Sequence, residues 1–87
     1  MEILKVSSKS NPNNVAGAIT NYIKETGIID VQVIGAGAIN QLVKAIIISR
    51  GYLSPHGIEI GCIPSFVDLK INNETKTGIK FSIYSLN

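Results

Sequence analysis

The sequence has a single cysteine, Cys62, a single histidine, His56, and no tryptophan. A lone cysteine rules out an intrachain disulfide, and one cysteine with one histidine cannot assemble the Cys/His sets that hold structural zinc. Charge is also scarce. Asp, Glu, Lys and Arg make up 16% of the 87 residues, below the ~25% of an ordinary soluble domain. Basic and acidic residues nearly balance, eight against six, for a net charge of +2. A dedicated duplex-DNA binder carries a dense basic patch, so this charge permits nucleic-acid binding without arguing for it. No apolar run approaches the ~18–20 residues of a membrane-spanning helix. The opening Met1-Glu2-Ile3-Leu4-Lys5 lacks the basic start and apolar stretch of a secretory leader. A soluble, cytoplasmic protein with no membrane contact is expected.

What is present is a hydrophobic fraction of 45% on a short chain. The length suits one domain, residues 1–87, in which a large share of the surface stays exposed. With no disulfide or zinc staple, packing and oligomerisation must supply the stability, so a homodimer or higher oligomer is expected.

Glu2 to Ser7 reads as a first strand, followed by the polar stretch Ser7-Ser8-Lys9-Ser10-Asn11-Pro12-Asn13. Asn11 is a good N-cap and Pro12 fits the first helical position. Val15, Ile19, Tyr22 and Ile23 then share one helical face, and Gly27 ends the helix. Asp30 to Ile34 is a second strand, and Gly35-Ala36-Gly37 turns into a second helix from Ala38 to Arg50. Ile39, Leu42, Val43 and Ile46 form its expected inner stripe. Ile47 and Ile48 widen that stripe, either as deeper burial or as a surface for a second subunit. Gly51 to Gly57 reads as a loop. Ile58 to Ile63 is a third strand broken at Pro64, and pairing resumes over Val67 to Ile71. Asn72 to Thr75 is a hairpin turn, and Thr77 to Tyr84 returns.

The order β-α-β-α-β-β predicts an α/β chain of the two-layer α+β kind, a mixed four-stranded sheet with both helices on one face. Leu4, Val6, Val31, Val33, Ile60 and Phe81 are the expected strand contributions to the core.

Chemistry is thin. His56 sits in a loop with no nucleophile placed beside it, and Cys62 reads as a buried small hydrophobe inside a strand. The acids are scattered, none paired at helical spacing. The expectation is a non-enzyme with no catalytic residues, metal or cofactor. Gly35-x-Gly37 stands where a dinucleotide fingerprint would, but Asn40 occupies the third glycine position and the chain is too short for a doubly wound fold. What remains is a helix N-terminus with free backbone N–H groups, which attracts phosphate oxygens, or else a plain tight turn.

Both βα loops follow parallel strands and emerge at one edge of the sheet. Lys9, Ser10, Asn11 and Asn13 are therefore expected to face Gly35, Gly37, Asn40 and Gln41, with Lys44 one turn further along. Such a rim suits the phosphates and sugars of DNA or RNA. It also suits a protein partner, and its Asn and Ser residues also serve as caps. Lys70, Lys76 and Lys80 flank the hairpin turn, diluted by Asp68 and Glu74. A solvated hairpin is the plainer reading, with Lys76 the residue near the tip that would reach nucleic acid.

The runs Ile3-Leu4-Lys5-Val6-Ser7, Lys9-Ser10-Asn11-Pro12-Asn13, Gly35-Ala36-Gly37-Ala38-Ile39-Asn40-Gln41, Val43-Lys44-Ala45 and Ile63-Pro64 resemble the stage V sporulation protein S family across essentially the whole chain. That resemblance implies a regulator of sporulation and septation. The element order is also similar to the wider Alba group of dimeric DNA- and RNA-binding proteins, which implies an Alba-like fold. In that group a basic loop after the first strand and a long hairpin arm touch nucleic acid. By position, Lys9 matches the loop lysine and the Asn72–Thr75 turn matches the arm tip. This chain departs from the group in having one loop lysine, in Ala36 where arginine is common, and in an arm that carries acids and an expected break at Pro64. The alternative to nucleic-acid binding is an adaptor docking a sporulation or division protein.

Overall fold

The computed structural model describes residues 3–87; Glu2, the expected start of the first strand, lies outside them. The chain runs β1 (Ile3–Lys5), α1 (Pro12–Thr26), β2 (Ile28–Val33), α2 (Ala36–Leu53), a short 3₁₀ turn (Ser54–His56), β3 (Ile60–Ile71) and β4 (Glu74–Ser85). The four strands form one mixed sheet in the order β1-β2-β4-β3. β1 lies parallel to β2, with Leu4 opposite Val31, and the other two pairings are antiparallel.

The register explains the core. Ile29, Val31 and Val33 of β2 stand opposite Ile83, Phe81 and Ile79 of β4, and this set faces the helices. Val6, Val31, Val33 and Ile60 are buried as expected, while Leu4 and Phe81 pack half-buried at the margin. Ile29 joins the core beyond the expected set because β2 begins at Ile28, two residues before the expected start, and its β4 partner Ile83 is fully buried with it.

In α1 the Asn11 side chain accepts from the backbone N–H of Asn13 (2.8 Å) and of Asn14 (3.3 Å), and Gly27 closes the C-terminus. Helix α2 departs from the sequence reading twice. First, it runs through Gly51 to Leu53 instead of ending at Arg50. An interior glycine costs a helix ~1 kcal/mol, whereas fully burying a leucine returns ~1.5–3 kcal/mol. Leu53 has no exposed surface, so the extra turn forms. Second, of the expected stripe only Leu42 is buried; the others in the buried stripe are Ala38, Ala45, Ser49 and Leu53, in place of Ile39, Val43 and Ile46. Small residues let α2 approach α1 closely, and the Ser49 hydroxyl donates to the Ala16 carbonyl across that contact (3.1 Å). The bulky residues are displaced sideways: Ile39 and Ile46 are half-buried, and Val43 and Ile47 are exposed.

Strand β3 is unbroken from Ile60 to Ile71, correcting the expected interruption at Pro64. β3 pairs only with β4 and is therefore an edge strand, the position where a sheet tolerates proline. Cys62 is exposed rather than buried. It shares the helix-facing side with its partner Ile83, but β3 lies beyond the part of the sheet that the helices cover. The hairpin closes tightly, with Asn72 (φ 52°) and Asn73 (φ 65°) both left-handed, as a two-residue primed turn requires.

Candidate nucleic-acid interface

The twelve-residue strands β3 and β4 are twice the length of the six-residue β2. At ~3.3 Å per residue the hairpin spans ~40 Å, which matches the molecule's long dimension of 43 Å. β2 pairs with β4 only from Ile79 to Tyr84, so the hairpin beyond Gly78 projects as a two-stranded arm. It leaves from the carboxyl ends of β1 and β2, the edge from which both βα loops also emerge. Gly78 makes the exit possible. A Cβ there would lie 2.7 Å from the Val33 carbonyl oxygen, 3.0 Å from Leu69 Cδ1 and 3.1 Å from Ile34 Cγ1.

At that edge the loop after β1 folds on itself. Ser7 N–H donates to Ser10 Oγ (2.9 Å), Ser10 N–H to the Ser7 carbonyl (3.1 Å) and Lys9 N–H to Ser7 Oγ (3.2 Å). The loop then rests on the start of α2, where a Cβ on Gly37 would stand 2.8 Å from Ser8 Cβ. Gln41 donates its side-chain N–H to the Ser10 carbonyl (2.9 Å), and Lys44 Nζ donates to Gln41 Oε1 (3.1 Å). The expected juxtaposition is present: Ser10, Gly37, Gln41 and Lys44 form one connected set.

Gly35 is the N-cap of α2 and offers no side-chain cap, and Gly35, Ala36 and Gly37 are exposed. The first-turn N–H groups of α2 thus lack a side-chain acceptor. Lys9, Asn13 and Asn40 are exposed on the same rim, while the Asn11 amide oxygen is committed to capping α1. Lys76 is not part of this set; it stands out on the arm opposite Leu69. Sequence reasoning missed Lys5, Ser8 and Leu69, which with Lys70 line a cleft between the rim and the arm. Strand length was the signal, obscured once Pro64 was taken as a break.

Among the described residues the one ion pair joins Arg50 to Glu59, near the C-terminal end of α2 and remote from the rim. It is bidentate, with Nε to Oε1 at 2.9 Å and Nη2 to Oε2 at 3.0 Å. The hydrogen bond from Arg50, and then that from Ile60 N–H, hold the Glu59 carboxyl below its ordinary range, and the bond to Glu59 raises Arg50. The lysines of the rim and arm have no such carboxylate partner among the described residues. No group of three or more His, Cys, Asp or Glu among them could hold a metal ion, and His56 is exposed in the 3₁₀ turn. Among the described residues no helix is long and apolar enough to cross a membrane.

A two-layer sheet with a looped rim and a projecting hairpin is an Alba-like architecture. The structure is similar to that of Alba from Thermoplasma volcanium, with a TM-score of 0.62 at 16% identity over 97% of this chain and 98% of that one. At that identity the likeness concerns the fold. The family model for stage V sporulation protein S matches residues 2–86, and the chain belongs to that family.

Proposed function

We propose that this chain is a non-catalytic regulator of sporulation or septation that binds DNA or RNA through the Lys9–Asn13 loop and the Gly35–Lys44 start of α2. The observation that carries the reading is the connected rim, where Lys44 reaches Gln41, Gln41 reaches the Ser10 carbonyl, and uncapped N–H groups of α2 lie beside them. Free N–H groups and cations are the donors that phosphate and sugar oxygens accept. Asn13 and Asn40 add neutral donors, and Lys76 contributes from the arm when the ligand is long enough to reach it.

The working unit is a homodimer. Helical spacing puts Ile39, Val43, Ile46, Ile47 and Arg50 on the flank of α2 away from Gln41 and Lys44. Arg50 pairs with Glu59, just before β3, so this flank looks toward β3. There the helix-facing side of β3 leaves Cys62, Pro64 and Phe66 uncovered, Phe66 at 84% exposure. A second copy covers this apolar trough.

Two rim lysines per protomer make four phosphate contacts in a dimer, a salt slope of about −3.6 and a loss of ~10²-fold between ~50 and ~200 mM salt. Titration of labelled DNA and RNA across that range tests this, with Lys9→Ala and Lys44→Ala each expected to flatten the slope by ~1.8. Salt-independent binding, or none at low salt, refutes the reading. A second reading, an adaptor for a sporulation or division protein, is favoured by the low net charge of +2. It predicts no nucleic-acid affinity at either salt.

A further inference from the structure

The cleft between the rim and the arm is built differently from the rim itself. It holds about 510 Å³, within the ~300–1,000 Å³ of sites that take small organic groups. It lies at the carboxyl ends of β1 and β2, where the arm leaves the body of the sheet. The base is aliphatic: Leu69 of the arm and Ile34 after β2 converge over Gly78. Polar groups stand around that base. Ser8 and Gln32 lie on the strand side, with no described hydrogen bond using either side chain, together with Lys5, and Lys70 lines the arm side next to Leu69. Asp68 also lines it, the one acid present.

We infer that this cleft takes an unpaired nucleotide, so that the protein selects single-stranded nucleic acid over duplex. The inference rests on the nucleic-acid reading above and names the substrate class of that site. Rim and cleft are continuous through Ser7 and Ser8, so a strand held by its phosphates on the rim runs past the cleft mouth. A duplex offers this edge only phosphates, its bases being stacked inside. An unpaired base has a flat apolar face that aliphatic side chains can cover, and an edge that Gln32, both donor and acceptor, can read. Lys5 stands beside Gln32 at the cleft edge. Charge sorts the two ligands in the same direction. Asp68 repels the dense phosphate rows of a duplex more than the sparser charge of a single strand, and the molecule has little net charge with which to outweigh it.

The test compares a single strand of ~12 nucleotides with its own duplex at ~100 mM salt by fluorescence anisotropy. The single strand is expected to bind at least ~10-fold more tightly, and Leu69→Ala, which removes part of the apolar cover of the base, to reduce single-strand affinity ~5–10-fold while leaving duplex affinity unchanged. Gln32→Ala, away from the Gly78 contact, is expected to act in the same direction and guards against a folding defect in the arm. A strand carrying 2-aminopurine adds a direct readout, since a base lifted from its neighbours brightens on binding. Equal or tighter duplex binding that still weakens with Lys9→Ala overturns the cleft and leaves the rim standing. Unchanged 2-aminopurine emission with tight single-strand binding also overturns it. Binding of neither form overturns rim and cleft together.

Discussion

Gly78→Ala is the substitution whose consequence follows most directly from the geometry. Inside a strand, glycine is ~0.5–1 kcal/mol worse than alanine on backbone entropy alone, so propensity predicts a gain. The surroundings predict the reverse. The added Cβ would sit 2.7 Å from the Val33 carbonyl oxygen, with Leu69 Cδ1 at 3.0 Å and Ile34 Cγ1 at 3.1 Å. Leu69 and Ile34 can shift rotamer, but Val33 is backbone held in the β2–β4 ladder opposite Ile79. Overpacking of this kind costs ~1–3 kcal/mol, and a backbone obstacle pushes toward the upper half. The net expectation is a loss of ~1–2 kcal/mol, or ~4–16 °C in Tm for a domain of this size. Gly17→Ala is the control: it lies in α1, nothing stands within 4 Å of its added Cβ, and a gain of ~0.5–1 kcal/mol is expected. Thermal unfolding of the three proteins at one matched concentration decides the matter, since Tm in a dimer depends on concentration. A Gly78→Ala protein melting at or above the parent refutes the account of how the arm leaves the body.

Asn11→Ala removes the acceptor for two first-turn N–H groups of α1 and is expected to cost ~1 kcal/mol in urea unfolding, while Asn11→Gly costs only a few tenths. Glu59 has a folded-state pKa below its unfolded value, so its contribution is complete above the usual ~4.3 and fades as pH falls through the lower folded value. The stability difference between the parent and Glu59→Gln should therefore shrink below about pH 4, and a difference that persists in strong acid contradicts the assignment. Ile47→Asp, at a residue 61% exposed in the single chain, is expected to leave the monomer folded and shift sedimentation from dimer to monomer.

Element order and the rim were legible in the sequence because local signals agreed. Asn11-Pro12 marks a helix start, Gly27 a helix stop, and Asn72–Thr75 a hairpin turn, which the structure narrows to Asn72-Asn73, and each acts through backbone sterics that tertiary packing does not reverse. The meeting of Ser10 with Gln41 followed from topology, since two parallel βα units must bring their loops to one edge. The face of α2 was not legible. Hydrophobicity ranks Ile39, Val43 and Ile46 above Ala38, Ala45 and Ser49, yet a close helix pair buries the smaller set. Periodicity reports that a helix has an apolar side and not how near its neighbour lies. Pro64 misled for a related reason: whether a proline breaks a strand depends on its place in the sheet, and β3 is at the edge.

That misreading of α2 bears on function. A helix whose narrow stripe satisfies its own core has no internal use for Val43 and Ile47, which stand exposed beside the uncovered Phe66 side of β3 on the proposed dimer surface. The rim makes the same demand from the opposite side of the helix. One protomer with two rim lysines makes only two phosphate contacts, a salt slope of about −1.8 and a small counterion-release gain. On the proposed reading, a second copy on the flank of α2 facing β3 doubles the rim without adding charge to the sequence, which would couple the two faces of α2. Phe66→Asp, on β3 and not on the helix that carries the rim, should weaken nucleic-acid binding and roughly halve the salt slope as Ile47→Asp does, whereas Lys44→Ala should flatten the slope with the dimer intact. Dissociation of the dimer with binding and slope unchanged would separate the two faces and leave the apolar flank to some other partner.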